Sequence, residues 1–204
     1  MGTQSRYQRE RSQLELALEM IAFEARTRTI RCCTGLSDDR IRKLYTVYFK
    51  HDERGVSVRR QRGKSPRRVD VFFQSSSKQM EATTLALLMV HYGVFAAGVD
   101  GRLRLALPRN SVGFGRRLCR VYALFRTLYP EHSLSFEQAW SLCLALDRGD
   151  ELALARCLDC DGQFVHDLLS AERSICSCCR LRDCAPKVPE VVPTLDSARE
   201  SRAL

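Results

Sequence analysis

The stretch RTRTIRCCTGLSDDRIRKLYTVYFK, Arg26 to Lys50, decides how the chain is built. Leading into it, Leu14, Leu18, Ile21, Ala22 and Ala25 recur on one face of a helix expected over about Gln13–Arg28. A short helical piece, Thr29–Cys33, runs into Thr34, Gly35 and Leu36. Ser37 then suits the N-cap of a further helix, whose first turn carries Asp38 and Asp39 to complement the helix dipole. From there Ile41, Leu44, Tyr45, Tyr48 and Phe49 make an apolar stripe, while Arg40, Arg42, Lys43 and Lys50 take other faces. Short helix, glycine turn and basic amphipathic helix form the outline of a helix-turn-helix over about residues 26–50, whose second helix can lie in the major groove. Two helices packed through a glycine for purely structural reasons give the same outline.

Working outward, the rest of the chain to about residue 150 also reads as helical packing. Gln79–Tyr92 is a largely buried helix, and Leu118, Val121, Leu124, Phe125 and Leu128 mark another amphipathic face. Between them the glycine-rich, basic segment from Phe95 to Arg117 suits a loop or short hairpin. Ser135 and Gln138 form a capping-box pair opening a helix that buries Phe136, Ala139, Trp140 and Cys143 and ends near Gly149. Leu152 and Leu154 alternate as an entry strand. The tail after Cys184, residues 185–204, carries Pro186, Pro189 and Pro193 with no periodic face and is expected to be disordered. The expected fold is mainly α: residues 1–150 as the helical nucleic-acid and partner-binding region, and residues 151–184 as a small zinc-ribbon-like region.

The charge of +9 is uneven. In VRRQRGKSPRRV six of the ten residues from Arg59 to Arg68 are basic: Arg59, Arg60, Arg62, Lys64, Arg67 and Arg68. Gly63 and Pro66 break any helix there, so residues 51–70 read as a basic loop suited to a phosphate backbone, or as a merely solvated charged loop. No aromatic residues interleave with the arginines, which argues against a single-strand stacking platform. Met-Gly at the start meets no secretory or myristoylation pattern, and the longest apolar run, Leu85 to Val90, is far short of the roughly 20 residues that cross a bilayer. The expectation is a soluble, cytoplasmic protein that contacts no membrane.

In such a compartment thiols stay reduced, so a dense cysteine cluster points to metal. Cys157 and Cys160 form one CxxC pair and Cys176 and Cys179 another, with fifteen residues between the inner cysteines. That interval fits a four-cysteine zinc site. Two residues between sulfurs let a tight turn aim both thiolates at one ion, with Gly162 supplying backbone freedom. One zinc closed by four thiolates has no open position for water and is structural. Buried core cysteines, an iron–sulfur cluster and a redox dithiol are the alternatives. Cys178, Cys184 and His166 are rival ligands: Cys178 breaks the paired spacing, Cys184 lies five beyond Cys179, and His166 suits a loop or the surface. Cys32, Cys33, Cys119 and Cys143 lie in helical patterns and suit the core. The four histidines, His51, His91, His132 and His166, are scattered outside any catalytic frame, so no enzyme is expected.

The order of these parts resembles the FlhC family, the subunit that works with FlhD as a bacterial flagellar transcriptional activator. The resemblance is carried by ELALEMIAFEARTRTI, GLSDDRIRKLY, GKSPRRVDVFF and LSFEQAWSL, followed by the two CxxC pairs, and covers most of residues 13 to 182. It implies a mainly helical protein with a cysteine-ligated zinc, in a complex of four FlhD and two FlhC subunits on duplex promoter DNA, with RNA polymerase as a further candidate partner. It further implies Cys157, Cys160, Cys176 and Cys179 as the ligands and Arg40, Arg42 and Lys43 on the helix that meets DNA. The chain departs from the family where Arg67 and Arg68 replace a more apolar segment and in a longer loop from Phe95 to Arg117. A divergent copy with a role other than flagella, or a general RNA-binding or protein-bridging zinc module that needs no FlhD, are the competing functions.

Overall fold

The computed structural model describes residues 2–50, 58–59, 61, 68–98 and 102–184. The expected tail, 185–204, and most of the basic loop, including Arg60, Arg62, Lys64 and Arg67, lie outside the described residues. Seven α-helices and two antiparallel hairpins are described, in agreement with the mainly α expectation.

Helix α1 spans Gly2–Ala22, longer at its start than the apolar face predicts. Its polar first half is supported by (i, i+4) ion pairs, Arg6 with Glu10 and Arg11 with Glu15. It does not continue to Arg28. Glu24 takes a left-handed conformation (φ 59°), and Phe23 turns to stack on Phe136 at 5.7 Å and meet Tyr122 edge-on at 5.2 Å. Tertiary aromatic packing therefore overrides helix propensity at this point. Helix α2, Thr27–Thr34, starts two residues earlier than expected and buries Thr29, Ile30, Cys33 and Thr34.

Gly35 ends α2 at φ 72°, a conformation that costs glycine no Cβ clash, and its N–H donates to the Arg31 carbonyl. Leu36 is buried, and the Ser37 hydroxyl accepts the Arg40 N–H at 3.3 Å to open α3, Asp38–Tyr48. Within α3 only Ile41 is buried, and Leu44, Tyr45 and the following Phe49 are packed against the core. Tyr48, expected in the apolar stripe, is instead 57% exposed, while Phe49 beside it packs against the core.

A 3₁₀ turn, Asp70–Phe73, buries Phe72 and precedes α4, Ser76–His91. Strands β1 (Phe95–Ala97) and β2 (Leu103–Leu105) form the anticipated hairpin, pairing Phe95 with Leu105. Helix α5, Val112–Leu128, buries Leu118, Val121 and Phe125, whereas Leu128 on the predicted face is exposed at the helix end. Gly115 lets α5 close on α1 and α2: a Cβ there would lie 2.7 Å from Leu16 Cδ2 and 3.0 Å from Cys33 Cβ. Helix α6, Phe136–Arg148, has both halves of the Ser135–Gln138 capping box and ends at Gly149 (φ 64°). These helices enclose one core around Leu16, Met20, Leu85, Phe114, Phe125 and Leu142.

The cysteine region begins with β3, Leu152–Arg156, antiparallel to β4, Gln163–Asp167, with Arg156 opposite Gln163. His166 is thus a half-buried strand residue, not a loop or surface histidine, and its ring meets Phe164 edge-on. Helix α7, Ser177–Cys184, follows. The region is fastened to α4, where Gln79 Nε2 donates to the Val165 carbonyl at 3.1 Å and the Val165 N–H donates to Thr83 Oγ1 at 3.1 Å. No helix among the described residues is long and apolar enough to cross a membrane.

Candidate functional site

The turn after β3 and the start of α7 bring Cys157, Cys160, Cys176 and Cys179 together, with all four sulfurs within 4.8 Å of one another. A tetrahedron whose sulfurs lie about 2.3 Å from its centre has edges of about 3.8 Å. Cys160 Sγ and Cys176 Sγ are 3.8 Å apart. The donor set therefore fits one metal ion held by four thiolates.

Local backbone geometry produces this cluster. The Cys157 N–H donates to the Gly162 carbonyl and the Asp161 N–H returns to the Cys157 carbonyl, each at 2.9 Å, closing the first turn. The left-handed residue is Asp161 (φ 56°), not Gly162. Glycine at 162 gives room, since a Cβ there would lie 3.3 Å from Cys160 Sγ and the sulfur would have to shift by a few tenths of an ångström. Leu158 N–H to the Ser174 carbonyl joins the two turns.

Backbone amides also reach the sulfurs. Cys176 N–H donates to Cys157 Sγ at 3.3 Å, and Cys179 N–H to Cys176 Sγ at 3.4 Å. The Cys176 amide, helped by the Asp159 and Cys160 amides against desolvation, holds the Cys157 thiol down to about 6. Cys179 moves the opposite way, raised first by its contact with the Cys160 side chain and then by burial and the other sulfurs. One thiolate is welcome in this volume, but four repel one another unless a cation sits among them.

Three of the four cysteines are buried and Cys160 is exposed. Cys178 is exposed and stands outside the cluster, as does His166. Cys33, Cys119 and Cys143 are core residues whose thiols burial pushes well up, and Cys32 is half-buried against the core. Gly162→Ala is expected to weaken metal binding roughly tenfold by displacing Cys160, the cost typical of a lost supporting contact. Competition with a chromogenic chelator measures it; unchanged affinity would mean the turn yields freely.

The basic residues divide by what they touch. Arg40, Arg42 and Lys43 are all exposed on α3, and Arg42 Nη1 donates to Asp39 Oδ1 at 2.7 Å. Arg59 is exposed, and its backbone N–H donates to Glu24 at 3.0 Å. Arg68 is bound at Nε and Nη2 to the Asp70 carboxylate, at 3.1 and 2.6 Å, which offsets its charge. Tyr45 donates its hydroxyl to the Val58 carbonyl at 2.8 Å, joining the start of the basic segment to α3. The acidic partners Glu24, Asp39 and Asp70 escape a reading of basic runs alone, although Asp39 and Asp70 stand within three residues of the arginines they bind.

No family model matches the chain. It is similar to the flagellar transcriptional regulator FlhC of Verminephrobacter eiseniae, 27% identical over 176 residues that cover 83% of this chain and 82% of that protein. The flagellar transcriptional regulator FlhC of Cupriavidus necator is 29% identical over 172 residues, covering 82% of this chain and 73% of the relative.

Proposed function

We propose that the chain is a DNA-binding subunit of a flagellar-type transcriptional activator, working in the cytoplasm with an FlhD-like partner and stabilised by one structural zinc. The observation that carries this reading is the similarity to two proteins named as flagellar transcriptional regulators, extending over more than four-fifths of the chain. The α2–Gly35–α3 arrangement supports it, since α3 keeps a single residue buried and turns Arg40, Arg42 and Lys43 outward.

Zinc suits the cysteine site because soft thiolates in a tetrahedral arrangement favour it, and four of them leave no place for a reacting water. Bound there, zinc would supply folding free energy and no chemistry. Cys157, Cys160, Cys176 and Cys179 would hold it, with the Cys176 and Cys179 amides orienting two of the sulfurs. Arg59, Arg60, Arg62, Lys64, Arg67 and Arg68 would meet phosphates, with Arg68 weakened in that role by Asp70. The family resemblance adds a complex of four FlhD and two FlhC subunits, and RNA polymerase as a contact at the promoter.

Fluorescence anisotropy tests the reading. A labelled flagellar-type promoter duplex is titrated with this chain, alone and co-purified with the FlhD-like protein of the same genome, at several salt concentrations. Binding is expected to need the partner, to prefer promoter over random duplex, and to weaken about a thousandfold between roughly 50 and 200 mM salt if about six phosphates are contacted. Weak binding indifferent to sequence and partner would overturn the activator reading and leave a general zinc module that binds RNA or bridges proteins.

A further inference from the structure

We infer that α3 reads base edges through two residues: Arg42, braced by Asp39, takes the O6/N7 edge of a guanine, and Val47 packs on the C5 methyl of a thymine. This rests on the duplex-DNA reading above and adds which residues would give sequence preference.

The argument starts from which way α3 faces. Ile41 is buried and Leu44 and Tyr45 are half-buried, so these mark the inward side. At about 100° per residue, Asp39, Lys43 and Thr46 fall opposite Ile41, with Arg42 on one flank and Val47 on the other. Arg40 and Lys43 have no carboxylate partner among the described residues, so the outward surface is positive and complements a polyanion.

Asp39 is the anomaly on that surface. Its side chain is 81% exposed, and a carboxylate there repels phosphates. Its bond to Arg42 draws the guanidinium from the flank onto the outward face. The pair is close to neutral, so it adds little attraction for a phosphate. What it presents is the remaining planar donor edge of Arg42, with the two parallel donors that match guanine O6 and N7. Asp39 is then a positioning residue, and Arg42 the contact.

Val47 is the second anomaly. It is 71% exposed, has no part in the core, and as a β-branched residue slightly disfavours the helix that carries it. In a major groove an exposed methyl-bearing side chain has one preferred apolar neighbour, the thymine methyl.

The test uses the full chain co-purified with its FlhD-like partner, as wild type, R42A, R42K, D39A and V47A, to enrich duplexes from a random library. The enriched site is then rebuilt with 7-deazaguanine at single guanines or deoxyuridine at single thymines. On the unmodified site R42A is expected to cost roughly tenfold or more, and that penalty should shrink severalfold where 7-deazaguanine, which keeps O6 but lacks N7, replaces the guanine it reads. R42K should lose the same guanine preference while retaining its hold on random duplex, because it keeps the charge without the fork. D39A should blur that guanine without weakening random-duplex binding. V47A should cost about fourfold, the worth of one buried methyl, and cost nothing on the deoxyuridine site.

If R42A and V47A weaken selected and random duplexes alike, they touch phosphates or fold, and the inference fails while the duplex reading stands. Loss of partner co-purification in V47A would make Val47 a protein contact and overturn its half of the inference. If the wild-type complex enriches no duplex at all, the duplex reading itself fails, and the inference with it.

Discussion

Replacing Cys157 or Cys176 with Ser is expected to strip the metal and unfold residues 151–184 while the helical core persists. The reason lies in how little else holds the ligand-bearing turns, since Leu152 and Val165 anchor only the hairpin on the helical core. Their own buried cluster consists of Cys157, Phe164, Cys176 and Cys179, with Ala155 and Ile175 packed against them. Four side chains, three of them the ligands themselves, cannot offset the conformational entropy of about thirty residues. A metal closing the cluster can, since structural zinc contributes on the order of 10 kcal/mol to the folding of small zinc modules. Either substitution removes one thiolate and puts a neutral, shorter-reaching hydroxyl where a sulfur accepts a backbone amide, Cys157 Sγ from Cys176 N–H or Cys176 Sγ from Cys179 N–H.

Elemental analysis should fall from one zinc per chain to near zero, and the calorimetric trace should lose the part of its enthalpy that belongs to the cysteine region. A strong chelator added to the wild type should reproduce the change. Cys178→Ser is the control, because Cys178 is exposed and outside the cluster, and it should keep full metal content. An unchanged melting curve with zinc still bound in Cys157→Ser would sink the four-thiolate assignment.

What could be read beforehand follows from the range of the interactions involved. The two CxxC pairs, the Ser37 cap, the Ser135–Gln138 capping box and the Gly35 turn are all local, with partners two to four residues apart, and each is found as the spacing predicts. Errors came where a distant contact decided a local conformation. The predicted helix through Arg28 breaks because Phe23 is drawn to Phe136 and Tyr122, about a hundred residues away. The first cysteine turn is a local exception: Asp161, not Gly162, takes the left-handed backbone, and Gly162 lies close against the Cys160 sulfur. Tyr48 and Leu128 sit on apolar faces by periodicity, yet both are exposed while the next residues, Phe49 and Tyr129, pack against the core, and periodicity does not say how wide a stripe the core covers. Charge runs were legible, but their acidic partners were not, and those partners change what each arginine can do.

Glu137→Ala is expected to destabilise the folded chain by about 3 kcal/mol, at the low end of the cost of breaking a buried ion pair from one side. Glu137 lies in the first turn of α6, and its side chain is 4% exposed. Its Oε1 accepts the backbone N–H of Arg26 at 2.8 Å, and its Oε2 stands 4.0 Å from Arg26 Nε. Arg26 is the N-cap residue of α2 and offers that helix no side-chain cap. Glu137 therefore helps fix where α2 begins, across 111 residues of sequence. Alanine would remove the carboxylate facing Arg26, whose side chain is only 17% exposed, and leave a backbone amide without its acceptor. Glutamine keeps an oxygen for the amide and loses only the charge, so Glu137→Gln should cost about half as much. Urea unfolding of the three proteins measures both values. Because α3 packs on α2 and α1, the alanine variant should also bind promoter duplex more weakly than its remaining folded fraction accounts for, while the glutamine variant binds in proportion to that fraction. A loss below about 1 kcal/mol for alanine would mean that water replaces the carboxylate at Arg26, and that the position of α2 is set by the burial of Ile30 and Cys33 alone.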